Sequence, residues 1–321
     1  MRILVTGGAG YIGGMVAGIL ARQGHAVLVY DNLCHATRAM VPPGVDFVQG
    51  DLADRPALEK LLSSGFDGVM HFAALIEAGE SMARPELYFR NNTASTLSLL
   101  EAMIVTRLHR LVFSSTAAVY GEPDVTPIPE NAALYPTNPY GESKLLVEKM
   151  LYWMYRVHGL RYASLRYFNV AGAMPGRGEA HEPETHLIPL VLDVALGRRD
   201  KIKIYGDDYP TLDGTCIRDY IHVEDLAHAH LLAFEALAQR EQLIYNLGNG
   251  SGFSVLEVIE SARRVTGHPI PVEVCPRRPG DPAVLIASSE KIERELGWKP
   301  RHTTLDTIVA SAWAWHQIRY S

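Results

Sequence analysis

Short apolar runs separated by longer segments of helical periodicity dominate the first half of the chain. RILVT (2–6), AVLVYD (26–31), VDFVQGD (45–51), GVMHFAA (68–74), RLVFSS (110–115) and RYASLRYFN (161–169) read as strands. The unbroken apolar character of the first two predicts burial, as in a parallel sheet. Helices are predicted at 11–24, stopping at Gly24, at about 56–64 and 84–106, and from Pro139 onward. This alternation from the first residue predicts an α/β fold with a Rossmann-like, doubly wound parallel sheet.

The rhythm breaks near residue 172. Residues 172–183 are Gly/Pro-rich and loop-like, 187–197 reads as a helix, 201–206 as a strand and 207–215 as a loop. IYNLGN (244–249) has the character of a strand returning to the main sheet, and 254–267 is an amphipathic helix closed by Gly267. The expected organisation is a dinucleotide-binding domain over 1–172 plus about 216–248. A smaller substrate lobe, interleaved in sequence, takes 173–215 and 249–321.

Composition narrows the classes. Of 321 residues, 47% are hydrophobic and 21% charged, enough to bury a core. The net charge of −6 argues against nucleic-acid or anionic-membrane partners and leaves any anionic ligand to a few local cations. No apolar run approaches a membrane span, and the chain opens directly on a strand and turn, so no leader is expected. Cys34, Cys216 and Cys275 are far apart without C-x-x-C spacing, which predicts reduced thiols in a cytoplasm-like compartment. The densest histidine patch, His222, His228 and His230, lacks metal-ligand spacing, so no metal is expected.

Gly7, Gly10 and Gly13 stand between the first strand and the first helix. There glycine permits a tight turn, close approach of a pyrophosphate and close helix–strand packing. The helix N-terminus then offers N–H groups and partial positive charge to phosphate. Asp31, at the end of the second strand, is placed to accept from ribose hydroxyls and to repel a 2′-phosphate, which favours NAD over NADP. Asp51 and Leu52 are expected at the adenine edge.

Asn138-Pro139 reads as a helix start, so Tyr140 and Lys144 lie one turn apart on one face. Together with the glycine spacing, Tyr140-x-x-x-Lys144 resembles the extended branch of the short-chain dehydrogenase/reductase family. That resemblance implies that Tyr140 is a general base, that Lys144 binds the nicotinamide ribose and lowers the tyrosine pKa, and that Thr116 is the third catalytic group, supported by Ser114 and Ser115. An unperturbed phenol near pKa 10 is a poor base at neutral pH, so such help is needed. Relatives that eliminate water carry acids after the threonine; here Ala117 and Ala118 follow, which points to oxidation and reduction.

HFAALIEAGES (71–81), LRYFNVAGA (165–173), the segment 205–227, IYNLGNG (244–250) and RRPGDPA (277–283) resemble the UDP-hexose 4-epimerases of that branch over nearly the whole chain. The resemblance implies tightly held NAD, a UDP-sugar substrate, a 4-keto intermediate that turns over, and a homodimer. It adds Tyr11, Ile12, Asn32, Phe72, Ala73, Ala74, Asn91 and Tyr167 to the cofactor set. It places Asn169, Arg218, Arg278 and Asp281 around the UDP and Leu187 and Tyr205 near the uracil. Arg218 also has a structural reading, an ion pair with Asp219. Leu285, intermediate in size where some relatives carry tyrosine, extends the expected range to N-acetylated hexosamines. Ile76 stands where some relatives carry lysine, and that cofactor contact is not expected. Two other readings stay open: a nucleotide-sugar dehydrogenase or reductase with exchangeable NAD, and a non-catalytic NAD sensor.

Overall fold

The apolar runs of the first half form the central sheet of a computed structural model, which describes residues 1–181, 183–278 and 281–321. Glu182, in the stretch 172–183, and Pro279 and Gly280, in the segment 277–283, lie outside the described residues. The chain divides into two compact units. The first comprises Met1–Pro123, Asn131–Arg166 and Ala227–Tyr245, and the second Asp124–Glu130, Tyr167–Leu226 and Asn246–Ser321.

In the first unit β1 (Arg2–Thr6), β2 (Ala26–Asp31), β3 (Asp46–Gln49), β4 (Gly68–His71), β5 (Arg110–Thr116), β6 (Arg161–Tyr167) and, much later, β11 (Gln242–Leu247) build one seven-stranded parallel sheet. Its order is β3-β2-β1-β4-β5-β6-β11, so the direction of winding reverses between β1 and β4. Ligands of such sheets bind outside the carboxyl ends of the strands at that reversal. The helices of this region are α1 (Tyr11–Arg22), α2 (Arg55–Leu62), α3 (Ala78–Ala83), α4 (Pro85–Tyr88), α5 (Ser95–Val105) and α6 (Pro139–His158). Leu4, Val69, Leu111 and Phe113 from the strands pack with Leu99, Met103, Val147 and Leu151 from the helices, all essentially inaccessible to water.

Three sequence expectations change here. The strand over 68–74 ends at His71, and the strand over 161–169 stops at Tyr167, with β7 (Asn169–Ala171) beginning separately. The single helix over 84–106 is divided: between α4 and α5 the residues Phe89–Ala94 form a wider π-helical turn. Within this turn the Asn92 side-chain amide binds both the N–H and the C=O of Leu75, at 2.8 and 2.9 Å. Such widened turns often mark functional sites.

The second unit holds β8 (Ile202–Tyr205), β9 (Ile217–Arg218), β10 (Tyr220–His222), β12 (Phe253–Ser254), β13 (Val272–Cys275) and β14 (Val284–Leu285). They pair as β10-β7, β12-β9-β14 and β13-β8. The helices are α7 (Leu187–Ala195), α8 (Val223–Ala236, which runs on into the first unit), α9 (Val255–Thr266), α10 (Glu290–Leu296) and α11 (Leu305–Tyr320). Ile188, Val191, Val258, Ile259, Ile308 and Val309 form its core. Ser254 and Glu257 cap α9 reciprocally, and Gly267 closes it in the left-handed conformation. No helix among the described residues is long and apolar enough to cross a membrane, and the three cysteines are free thiols.

Candidate active site

The turn after β1 is built so that only glycine fits. Gly7 has φ +72°, and a Cβ there would stand 2.5 Å from the amide nitrogen of Ala73. A Cβ on Gly13 would run into the carbonyl oxygen of Gly7, and one on Gly10 would crowd the same oxygen at 3.3 Å. The three glycines therefore bring β1, the start of α1 and the chain after β4 into near contact. No side chain caps the first turn of α1, which begins at Tyr11, Ile12 and Gly13. A helix end of this kind is a ready site for phosphate. These features fit a dinucleotide.

The carboxylate of Asp31 accepts from the N–H of Ala9 at 3.0 Å and of Leu33 at 2.9 Å, tying the glycine turn to the end of β2. Asn32 donates to Asp51 at 2.8 Å, and the Tyr30 hydroxyl donates to the Asp51 carbonyl at 3.0 Å. Leu52 is buried beside them. Phe72, Ala73 and Ala74 continue from β4, with the Phe72 ring 4.8 Å from the buried His230 ring. His230 thus belongs to the core. Asn91 donates to Asn92 at 2.9 Å, and Asn92 in turn donates to Ser143 Oγ at 3.1 Å, linking the chain after β4 to α6. Ile76 is 38% exposed.

α6 starts as the sequence requires: the Asn138 side chain accepts from the Gly141 N–H at 2.8 Å, and Pro139 occupies the first turn. Gly141 lets the helix abut the turn after β5, because a Cβ there would lie 2.6 Å from the Ala118 carbonyl oxygen. This close approach sets Tyr140 beside Thr116, and their side chains hydrogen-bond. Thr116 Oγ1 also accepts from the Ala118 N–H at 3.1 Å.

The electrostatics differ from the sequence expectation in one respect. Burial raises the Tyr140 phenol above its usual range and outweighs the lowering effect of the Thr116 hydrogen bond, while the Glu77 carboxylate raises it further. Lys144 is not among the groups that lower it. The Lys144 ammonium donates to the Ser114 carbonyl at 2.9 Å and lies 5.0 Å from the Phe113 ring centre. Buried without a carboxylate partner, it is pushed down to about 7. His71 reports the same dry interior, held down to about 3 by burial and then by Lys144. Thr96 gives its own proton to the Asn92 carbonyl, so His71 Nε2 donates to Thr96 and Nδ1 accepts from Thr6.

One supporting network was not foreseen. Glu148, one turn beyond Lys144 on α6, accepts from Ser115 Oγ at 2.6 Å and from Arg166 Nε at 3.0 Å. Arg166 also donates to the Tyr120 hydroxyl at 2.9 Å. The i, i+4 spacing of Lys144 and Glu148 was the available signal. Arg166 gave none, since an arginine within a strand reads as an exposed residue.

In the second unit Arg218 pairs with Asp281, not with Asp219. Asp219 instead accepts from the N–H groups of Asn249, Gly250 and Ala287. Leu285 lies opposite Arg218 in the β9–β14 register, and Asn169 donates to the Asp219 carbonyl at 3.1 Å. The Arg278 guanidinium stacks 4.0 Å over the Tyr205 ring, which closes β8. Asn169, Arg218, Asp281 and Leu285 thus cluster through β7, β9, β10 and β14, and Arg278, which stacks on Tyr205, is joined to Asp281 by its carbonyl, which accepts from the Asp281 N–H at 3.3 Å. Leu187 opens α7. Tyr167 ends β6, where it is buried.

A glycine-lined strand–turn–helix joined to a Tyr-x-x-x-Lys helix beside a threonine defines a dinucleotide-binding enzyme. Residues 3–248 match the model of the NAD dependent epimerase/dehydratase family, and the chain belongs to it. Among named relatives it is 55% identical over 317 residues to a UDP-glucose 4-epimerase of Streptomyces lividans, covering 98% of this chain and 96% of that one. A crystal structure of a UDP-glucose 4-epimerase superposes with a TM-score of 0.98 at 51% identity, covering 100% of this chain and 99% of the other. A UDP-glucose-4-epimerase from Stenotrophomonas maltophila, crystallised with bound NAD and formylated UDP-arabinopyranose, gives 0.96 at 42% identity, with the same coverage.

Proposed function

We propose that this chain is a UDP-hexose 4-epimerase that interconverts UDP-galactose and UDP-glucose. The observation that carries the reading is the Tyr140–Thr116 hydrogen bond, in a chain that also has the glycine-built turn after β1 and matches UDP-glucose 4-epimerases along nearly its whole length. Gly7, Gly10, Tyr11, Ile12 and Gly13 would hold the pyrophosphate of NAD, Asp31 and Asn32 its ribose, and Asp51 and Leu52 its adenine edge. Phe72, Ala73, Ala74, Asn91, Ser114 and Tyr167 would line the remainder. When bound, NAD supplies a reversible acceptor for the hydride on C4 of the sugar. Tyr140 takes the proton of the 4-hydroxyl and returns it to the ketone oxygen. Thr116 donates to the same oxygen system and keeps the phenol aligned. Lys144, only partly protonated near neutral pH in the dry site, would become a fully charged donor once ribose hydroxyls and phosphates are near it.

The ketone must turn before hydride returns, so affinity has to reside in the nucleotide. Arg218, Arg278 and Asn169 would bind the diphosphate and its neighbouring sugar, with Asp281 orienting Arg218, and Leu187 and Tyr205 would hold the uracil. Leu285, smaller than the tyrosine some relatives carry, would admit an N-acetyl group. We further propose that the first unit is the NAD domain and the second the nucleotide-sugar lobe. The protein would act as a homodimer in the cytoplasm, in keeping with its free thiols and with the 62% exposed Trp153 and 67% exposed Val157 on α6. The test is NMR of the purified protein, with no nucleotide added, on UDP-Glc, UDP-Gal, UDP-GlcNAc and UDP-GalNAc. Interconversion of the first two is expected, with slower conversion of the N-acetylated pair. No turnover by NAD-loaded protein would reject the reading.

A further inference from the structure

The Tyr140–Thr116 hydrogen bond joins two elements, α6 and the end of β5, and both must be held if it is to persist. The Asn138 cap and the close approach of Gly141 to Ala118 act only at the first turn of α6. About two turns further along that helix stands Glu148, paired with Arg166 of β6, and their side chains are 6% and 3% exposed. The pair is two-pronged: Arg166 Nε donates to Oε1 at 3.0 Å and Nη2 to Oε2 at 2.5 Å. Each partner also reaches the segment that carries Thr116. Ser115 Oγ donates to Glu148 Oε1 at 2.6 Å, and Arg166 Nη1 donates to the Tyr120 hydroxyl at 2.9 Å. Ser115 immediately precedes Thr116, and Tyr120 closes the one-turn helix Ala117–Val119 that Thr116 caps. The threonine is thus pinned on both sides to one buried ion pair.

Stability is a poor explanation for this arrangement. Taking two charges out of water is costly, and apolar side chains of similar volume often replace a buried pair with no loss, or even a gain, of stability. What apolar side chains cannot supply is direction. An ionised carboxylate only accepts, so the Ser115 hydroxyl must point at it, and the planar guanidinium ties α6 to β6 through two parallel bonds. A third bond from the same guanidinium then fixes Tyr120.

We propose that Glu148 and Arg166 are positioning residues that hold Thr116 against Tyr140 through Ser115 and Tyr120. The inference rests on the reading of Tyr140 as the base that takes the 4-hydroxyl proton, with Thr116 as its partner. The action is indirect: the pair fixes the segment 115–120, and that segment presents the threonine hydroxyl to the phenol. Of the groups around the phenol, Thr116 lowers its pKa and Glu77 raises it. Release of Thr116 therefore makes the phenol a weaker acid, and the pH at which Tyr140 becomes an effective base rises.

The test compares NAD-loaded, full-length wild type with Glu148→Met/Arg166→Met, in which unbranched apolar side chains replace the pair. The double variant is expected to melt within a few degrees of wild type, since no buried charge is left unpaired. Its kcat on UDP-galactose should fall at least about tenfold with little change in KM, and the acid limb of its kcat–pH profile should move to higher pH. Hydrogen exchange at Ala118, whose N–H bonds Thr116 Oγ1 at 3.1 Å, should quicken, a readout that mass spectrometry gives without turnover. Wild-type kcat and pH profile in the folded double variant would overturn the proposal. Should that variant fail to fold, Ser115→Ala breaks one pin with no change of charge. A smaller loss of kcat with the same upward shift sustains the proposal, and wild-type behaviour overturns it. Wild type that converts no UDP-galactose would remove the base assignment instead, and unchanged exchange at Ala118 in the variants would then overturn the positioning role.

Discussion

Lys144 and Tyr140 sit one helical turn apart, and burial drives both toward their neutral forms: the ammonium to about 7 and the phenol above its usual range. The spacing was legible in the sequence; the local balance was not, because it depends on how much water each group loses. Two histidines are subject to the same physics. His71 titrates at about 3 and His222 at about 4 in the fold, against 6.5 for the free side chain. For His222 burial leads, followed by the neighbouring His302, with Asp225 opposing. As pH falls below 6.5 the unfolded chain takes up these protons first. Stability that is complete above 6.5 is therefore lost as pH falls toward 4, by at most about 1.4 kcal/mol per pH unit for each site. Melting curves across that window should show His222→Gln with a shallower decline than wild type. Parallel curves would remove His222 from the account.

At the level of elements, α6 is positioned by its cap and by one glycine. Alanine is the better helix former by about 1 kcal/mol, yet Gly141 meets the Ala118 carbonyl too closely to admit a Cβ. Gly141→Ala should push α6 away from the turn after β5, separate Tyr140 from Thr116, and cut kcat by about 10²-fold while NAD content is retained. Full activity in that variant would show that the contact does not set the catalytic geometry. The cap was readable from Asn138-Pro139, whereas the need for glycine was not, since it arises from a segment some twenty residues away. The division of the helix over 84–106 escaped as well. At that turn Asn92 reaches Leu75, and periodicity carries no trace of a side chain that bonds another segment's backbone.

Over the whole molecule, β1, β4, β5 and β6 were legible because burial on both faces leaves a largely apolar run, while β3 at the sheet edge is mostly exposed. The doubly wound parallel character of this sheet followed from alternation and its late return at β11 from IYNLGN, whereas the strand order is visible only in the fold. The second unit was harder to read. Its strands β9, β12 and β14 are two residues each, too short to carry a period, and its anchor is Asp219, a carboxylate buried against three backbone amides. The nucleotide-side residues came from resemblance alone, and the structure joins them in ways the sequence did not predict: Arg218 to Asp281, and Arg278 over Tyr205.

The central claim is that the hydrogen on C4 leaves and returns as hydride without meeting water. UDP-galactose deuterated at C4, incubated in ordinary water, tests it directly. The account predicts UDP-glucose that keeps its deuterium at C4 with none released to solvent, and conversion at least about 10²-fold slower in Tyr140→Phe. Deuterium lost to water during turnover would contradict it.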